Sequence, residues 1–410
     1  MSQATTTKTA AAMSGMGTSL TSTPISRRIS STRHEDYAPS VKKSSLAKIM
    51  DIELKDAVYK VNALDKVVFP DNMLPFPITK KLIKAISYSV PQSRTEASMA
   101  AWLNGIADEL ANYTKVPVVR KWDACMKNTV VLGSNIQRKP DLVVVPKDFS
   151  TDLCDNDNRP HWKSFHAYTE VTSQSIQWRL NETTWQKSFV MFDAQPTRRF
   201  IPNLTFNDKN AILFVCDRAG VVHSKPLPLS KSKKELLRLI AGFAFAQEYV
   251  LGYDETMKGS GDAITAITIN GEEFTVIKRV FRLSTMRGRA TQCWHVRSAD
   301  GKEYIIKDSW IDTRRQLNEI DILREISDVV NVPTLVTGWD VCLPNGKKDT
   351  TGIRRLKTHT GEERVHRRLL IEEVGEPLST FRSKKELVGA FIDVIEGINL
   401  LSHEDMWLTH

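Results

Sequence analysis

At the short stretch Lys258-Gly259-Ser260-Gly261 the hydrophobic pattern changes period, and that change constrains the fold more than any other feature. Before it, helical spacings alternate with short apolar runs. Ala100, Leu103, Ile106, Ala107 and Leu110 share one helical face behind the capping box Ser93-Arg94-Thr95-Glu96. Runs at Asp141 to Pro146, Ala167 to Thr172 and Ala211 to Cys216 read as strands, and Ser175 to Phe192 as a helix. A second capping box, Ser232-Lys233-Lys234-Glu235, opens a long helix ending at Gly252. After the glycine-rich stretch the chain reads as a β-ribbon: Phe274 to Leu283, Gln292 to Val296 and Tyr304 to Lys307. The turn Ser298-Ala299-Asp300-Gly301 joins the last two, with Gly supplying the positive φ. A helix that Asp312 is placed to cap follows, then further strands and a last helix capped by Ser383-Lys384-Lys385-Glu386.

These patterns predict an α+β protein. Residues 1–40 form a disordered Ser/Thr-rich tail, 41–255 a mixed α/β domain, 256–270 a linker and 271–410 a second domain. Two domains suit 410 residues, since single cores rarely exceed about 250–300. The tail has no apolar period to offset chain entropy, and its Ser26-Arg27-Arg28-Ile29-Ser30 run suits a solvated or basic-directed phosphorylation segment. No secretory signal opens the chain, although the first acidic residue, Glu35, leaves room for a transit peptide. Leu236 to Tyr253 is interrupted by Arg238, Gln247 and Glu248, so it reads as a buried helix and no membrane span is expected. The five cysteines lie far apart, which argues against zinc and disulfides and for an intracellular setting, cytoplasmic or nuclear. A net charge of +9 permits nucleic acid on a basic surface but, spread over this length, points to it weakly.

Several residues of the second region suit phosphate chemistry. Gly288, in Arg287-Gly288-Arg289-Ala290-Thr291 at a hairpin tip, lets backbone N–H groups approach an anion, though most such tips are only turns. Lys307 follows the apolar strand Ile305-Ile306. Glu319 shares a helical face with Ile322, Leu323 and Ile326, and a carboxylate on such a face needs a cation, for which Lys307 is the obvious partner. The structural alternative is that Glu319 merely suits the start of its helix. Ile371-Glu372-Glu373-Val374-Gly375 ends an apolar strand in a short acidic connection.

Together these segments resemble the fungal-type protein kinase family. The resemblance rests on Arg-Gly-Arg-Ala-Thr-x-x-Trp, Ile-Lys-Asp-Ser-Trp, Glu-Ile-Asp-Ile-Leu-Arg, Val-His-Arg-Arg-Leu and Gly-Glu-Pro-Leu-x-x-Phe. Upstream, Arg-Lys-Pro-Asp-Leu (138–142), Gln-Pro-Thr-Arg-Arg-Phe (195–200) and Cys-Asp-Arg-Ala-Gly (216–220) extend it over most of the chain after about residue 70. It implies a kinase N-lobe, with an antiparallel sheet and the first C-lobe helices, that binds ATP with Mg²⁺ to phosphorylate protein Ser/Thr. Gly288 then belongs to the phosphate loop and Lys307 binds phosphates. Glu319 anchors that lysine, Ile371 is the gatekeeper, and Glu372 to Val374 are the hinge for adenine. Two departures stand out: Ala290 replaces a second loop glycine, and Lys307 and Glu319 are closer in sequence than in most kinases. Leu408-Thr409-His410 resembles the start of the catalytic loop, with His410 its first motif residue. The catalytic Asp and the metal-binding Asn and Asp would lie beyond, so the resemblance implies a truncated form, inactive alone.

Two other readings compete. Lys139-Pro140-Asp141 and Glu170-Val171-Thr172 resemble a restriction-endonuclease-type core, in which two carboxylates hold Mg²⁺, but Thr172 stands at the lysine position and suggests a decayed nuclease-like scaffold that binds nucleic acid. A non-catalytic interaction or regulatory protein is the other, with Phe391, Ile395 and Ile398 exposed where a C-lobe would dock. Trp294 and Trp310 are expected to pack in the N-lobe. His359, His366 and His403 are expected to be solvated or hydrogen-bonded, and Arg364, Arg367 and Arg368 to flank a strand in solvent, with phosphate binding as the other reading of that cluster.

Overall fold

A computed structural model of the protein describes residues 43–124, 131–134, 136, 138–149, 160–173, 178–260, 263–355 and 361–403. The expected tail, His359 and the His410 motif lie outside these residues. The first half contains α1 (Lys43–Glu53), β1 (Val58–Lys60), α2 (Leu64–Val68), α3 (Lys80–Ala85), α4 (Glu96–Thr114), β2 (Arg120–Asp123), β3 (Leu142–Pro146) and β4 (Ala167–Val171). Then follow α5 (Trp178–Ala194), β5 (Phe200–Phe206), β6 (Asn210–Asp217), β7 (Gly220–His223), β8 (Leu227–Pro228) and α6 (Lys233–Phe245). Its mixed sheet runs β1-β7-β6-β5-β4-β3-β2, with β8 on β6. Strands β4 and β5 pair in parallel across the α5 crossover, while β2, β3 and β4 are antiparallel.

The unbroken apolar run Leu142–Val145 follows from this layering. Leu142 and Val144 face one core with Leu103 and Ile240, and Val143 and Val145 face the other with Trp185 and Val190. A strand covered on both faces needs apolar residues at every position. At the start of β7, Gly220 has φ +121°, and a Cβ there would lie 2.2 Å from the Ala57 carbonyl oxygen, so only glycine fits.

The second half contains β9 (Met257–Ser260), β10 (Ala263–Ile269), β11 (Glu272–Arg282), β12 (Gln292–Arg297), β13 (Glu303–Asp312), α7 (Glu319–Glu325), β14 (Leu335–Asp340), β15 (Arg364–Ile371) and α8 (Lys384–His403). They form an antiparallel sheet in the order β14-β15-β13-β12-β11-β10-β9 around Ile267, Trp294, Val296, Ile306 and Leu370. The protein is therefore α+β, as expected. The stretch expected as a linker, 256–270, instead holds β9 and β10, whose buried Met257, Ile264 and Ile267 extend this core. Three capping expectations also shift. Thr95, not Ser93, accepts from the Ser98 N–H, Asn318 caps α7 while Asp312 binds Arg314, and Ser232 makes no side-chain cap.

Buried ion pairs join the two sheets. Asp217 holds Arg354 at 3.0 Å and Arg355 at 2.7 Å, Arg199 reaches Asp349 at 3.3 Å, and Arg368 contacts both Asp254 and Asp308. Arg364 and Arg368 are thus buried, not solvated as their sequence context suggested, because Glu362 pairs with the first and Asp254 and Asp308 with the second. His366 is likewise buried, stacked on Trp310 at 4.6 Å, with Asp308 at 2.5 Å and Asp349 at 3.3 Å. Burial opposes its charge, yet these two carboxylates push it up to about 9. Its folded value lies above the ordinary 6.5, so its contribution is full below about pH 6.5 and is lost as pH rises through about 9. Thermal melts between pH 6 and 10 are expected to show this loss, on the order of 3 kcal/mol, and His366→Asn should flatten the profile.

Candidate functional site

Lys307 sits on β13 opposite Cys293 of β12 and Leu369 of β15, and Ile305 sits opposite Ile371. Directly opposed residues share a sheet face, and residues two apart return to it, so Lys307, Ile305, Cys293 and Ile371 line one surface. Glu319, at the start of α7, meets the Lys307 ammonium in a direct ion pair across this surface. The helix is held there by close packing: Ile320 lies against Gly338 of β14, where a Cβ would meet its side chain at 2.6 Å. Both charged side chains remain partly open to solvent, 25% and 35% exposed, so a ligand can reach them. The Cys293 thiol beside them is pushed up to about 11, chiefly by burial and against the pull of Lys307, so it is a neutral wall of the surface.

Strand β15 ends at Ile371, and the chain continues without regular structure through Gly375. The Glu372 N–H donates to the Thr334 carbonyl at 2.9 Å, fixing the start of this segment. Among the described residues, the backbone of Glu373 and Val374 makes no hydrogen bond, which leaves an acceptor and donor pair at the edge of the Lys307 face. Beyond it, α8 carries Phe391, Ile395 and Ile398 at 51–55% exposure, an apolar face of the kind the sequence suggested.

Gly288 lies elsewhere in this arrangement. With φ +132°, it forms part of the β11–β12 tip, but its N–H donates to the Arg218 carbonyl at 2.9 Å. Met286 is fully buried in the core beneath α1 and α5, and Ala290 is buried as well. The tip is thus docked on the first half of the chain, while Lys307, Glu319 and the 372–374 segment come together at another part of the same sheet.

Two further clusters gather ionisable side chains, the second of them at the carboxylates that the sequence singled out. Asp254, Asp308 and His366 bring potential ligand atoms within 4.8 Å of one another. The Arg368 guanidinium contacts both carboxylates, and His366 is held protonated, so this donor set suits a guanidinium in place of a metal ion. In the first sheet, Asp141 accepts from the Val171 N–H at 2.8 Å, and Glu170 on β4 pairs with Lys187 of α5. Burial pushes the Glu170 carboxyl up to about 7, with Lys187 opposing and Asp141 adding to the rise. Glu170 Oε1 is buried and without a hydrogen-bond partner among the described residues. Thr172 stands where the nuclease-like pattern has a lysine, and Glu170 meets the ammonium of Lys187 on the crossover helix. No local pattern in the sequence marks Lys187, which the fold places inside the buried run Thr184–Phe192.

Among the described residues, no helix is long and apolar enough to cross a membrane. A profile for fungal protein kinase matches residues 139–410, more than half of the 410-residue chain. No curated protein matches it. The match takes in both sheets from β3 onward, including the strand of Lys307 and the helix of Glu319, so the chain belongs to the fungal protein kinase family, whose members in general use ATP and Mg²⁺.

Proposed function

We propose that residues 257–403 form the nucleotide-binding lobe of a protein serine/threonine kinase. The observation that carries this reading is the direct Lys307–Glu319 ion pair on a face shared with Ile305 and Ile371. An ammonium oriented by a carboxylate is suited to the α/β-phosphates of ATP, and the open backbone of Glu373 and Val374 to adenine. Ile371 would narrow the back of the site, and Gly288, whose N–H donates to the Arg218 carbonyl, would reach the phosphates only from a released hairpin tip. Bound ATP would supply the phosphoryl group. The activity proposed for the Lys307 face is nucleotide binding, and transfer of the phosphoryl group to a protein substrate is proposed for the kinase domain to which that face belongs. The exposed apolar face of α8 suits a further lobe or a protein partner in the cytoplasm or nucleus. Mg·ATP titration of the 1–410 chain against Lys307→Met tests the reading. Saturable binding weakened by the substitution supports it, and binding indifferent to Lys307 overturns it.

A second reading concerns the first sheet and is favoured by Lys187. Asp141, Glu170 and Lys187 together offer two carboxylates for a divalent cation and one ammonium for a phosphate or attacking water, the components of a nuclease-like site on nucleic acid. Because the Glu170 carboxyl titrates near 7, cation binding there should strengthen as pH rises through neutrality. Mixing the protein with single- and double-stranded oligonucleotides, with and without Mn²⁺, is expected to show binding or cleavage that Glu170→Gln diminishes at least tenfold. An absence of both, or activity untouched by Glu170→Gln, would remove this reading.

A further inference from the structure

A carboxylate occupies the hairpin tip that carries Gly288. The backbone N–H groups of Met286 and Arg287 both donate to one carboxylate oxygen of Glu53, each at 3.2 Å. The Thr285 hydroxyl, which shares its one proton between the Arg287 carbonyl at 2.6 Å and the other carboxylate oxygen at 3.0 Å, borders the cradle. Successive amides converging on one oxygen form an anion-binding nest. Glu53 itself is fully buried at the last residue of α1. The contact is tightened from the other side, because the Arg287 guanidinium donates to the backbone carbonyls of Glu53 at 2.9 Å and Lys55 at 3.2 Å. The same guanidinium bonds Glu362 at 2.9 Å, linking the tip to the segment before β15. The Gly288 N–H is engaged by Arg218, and the Met286 side chain is buried beneath α1. Every donor named here is satisfied within the chain, while Lys307 and Glu319 stay partly exposed on the other face.

We propose that Glu53 is an internal phosphate mimic, an autoinhibitory contact by which α1 withholds the hairpin tip from the nucleotide. This rests on the reading of the Lys307 face as a nucleotide site and assigns that site a regulator. The physical argument is competition. A carboxylate and a nucleotide phosphate are both anions that accept from consecutive N–H groups, and the tip cannot serve both. Nucleotide then binds fully only to the fraction of molecules with the tip released, and its apparent affinity is lowered by that fraction. Weakening the Glu53 contact raises the released fraction without touching Lys307 or Glu319.

The test uses the 1–410 chain and two readouts: amide hydrogen exchange at residues 284–291, and Mg·ATP affinity by calorimetry. Glu53→Ala is expected to speed exchange at Met286, Arg287 and Gly288 at least tenfold and to tighten Mg·ATP binding about fivefold or more. Glu53→Gln keeps an accepting oxygen without the charge and should fall between. Thr285→Val weakens the cradle from the hairpin side and should act in the same direction, which covers the case in which Glu53→Ala does not fold. Unchanged exchange, or faster exchange with unchanged or weaker nucleotide binding, would overturn the proposal. Lys307→Met in the wild-type and Glu53→Gln backgrounds separates the two failures. Binding that depends on Lys307 but ignores Glu53 sinks the regulator alone, and binding indifferent to Lys307 sinks the nucleotide reading as well.

Discussion

Replacing Lys307 by methionine is expected to weaken Mg·ATP binding roughly 10- to 100-fold while leaving the melting temperature almost unchanged. The binding loss follows from removing a charged hydrogen-bond donor to phosphate, worth about 1.5–3 kcal/mol. The small stability effect follows from exposure. Lys307 and Glu319 are 25% and 35% exposed, and ion pairs open to solvent contribute about 0–1 kcal/mol. Methionine keeps most of the apolar stem against Leu369 and Cys293, so packing on the sheet face should survive. Glu319→Gln, which leaves the ammonium but removes its anchor, should weaken binding less. Isothermal calorimetry measures the first quantity and differential scanning fluorimetry the second. A Lys307→Met protein that binds as tightly as the parent would mean that the ammonium faces no ligand.

The second large effect lies far from that face. Asp217→Ala is expected to destabilise the protein by about 3–5 kcal/mol, because it leaves two buried guanidiniums without their carboxylate. Asp217 is fully buried, and Arg354 and Arg355 contact it at 3.0 and 2.7 Å. Burial alone would raise its carboxyl, but the two neighbouring arginines hold it below the ordinary range. Arg355 also donates to the other carboxylate oxygen at 2.8 Å, so the pair is bidentate and geometrically specific. Asp217→Asn keeps the shape and loses the charge, and most of the loss should persist. Scanning calorimetry checks both variants, and a change under about 1 kcal/mol would show that the guanidiniums find other partners. The effect should spread to both sheets, since Asp217 ends β6 while its partners precede β15.

How much of this was legible depends on the range of each interaction. The Lys307–Glu319 contact could be reached from sequence, because twelve residues separate the partners and an apolar helix face demands a cation for its carboxylate. The layered first sheet could be reached in outline from the apolar runs at 142–146 and 167–172, which are covered on both faces or nearly so. The β9–β10 hairpin was missed because Gly259 and Gly261 read as a flexible break; Gly259 in fact supplies φ +108° within β9. The contacts that join the two sheets are hidden from a sequence for a different reason. Glu53 and Met286 are separated by 233 positions, and Asp217 and Arg355 by 138, so no local period encodes their pairing. The runs Arg198-Arg199, Asp217-Arg218 and His366-Arg367-Arg368 carried the family resemblance as strings of letters. In the fold, most of these residues lie in the buried contacts between the two sheets or beside them, and Arg367 pairs with Asp340 at the edge of the second. Lys187 was invisible for a similar reason, since a helix crossover delivers it to Glu170 across 17 residues.

The most direct measurement is amide hydrogen exchange of the 1–410 chain with and without saturating Mg·ATP. The account predicts protection concentrated at Ile305–Lys307, at the start of α7 around Glu319, and at Glu372–Val374, with loss of that footprint in Lys307→Met. No saturable protection at millimolar nucleotide, or protection confined to the first sheet around Asp141 and Glu170, would contradict it.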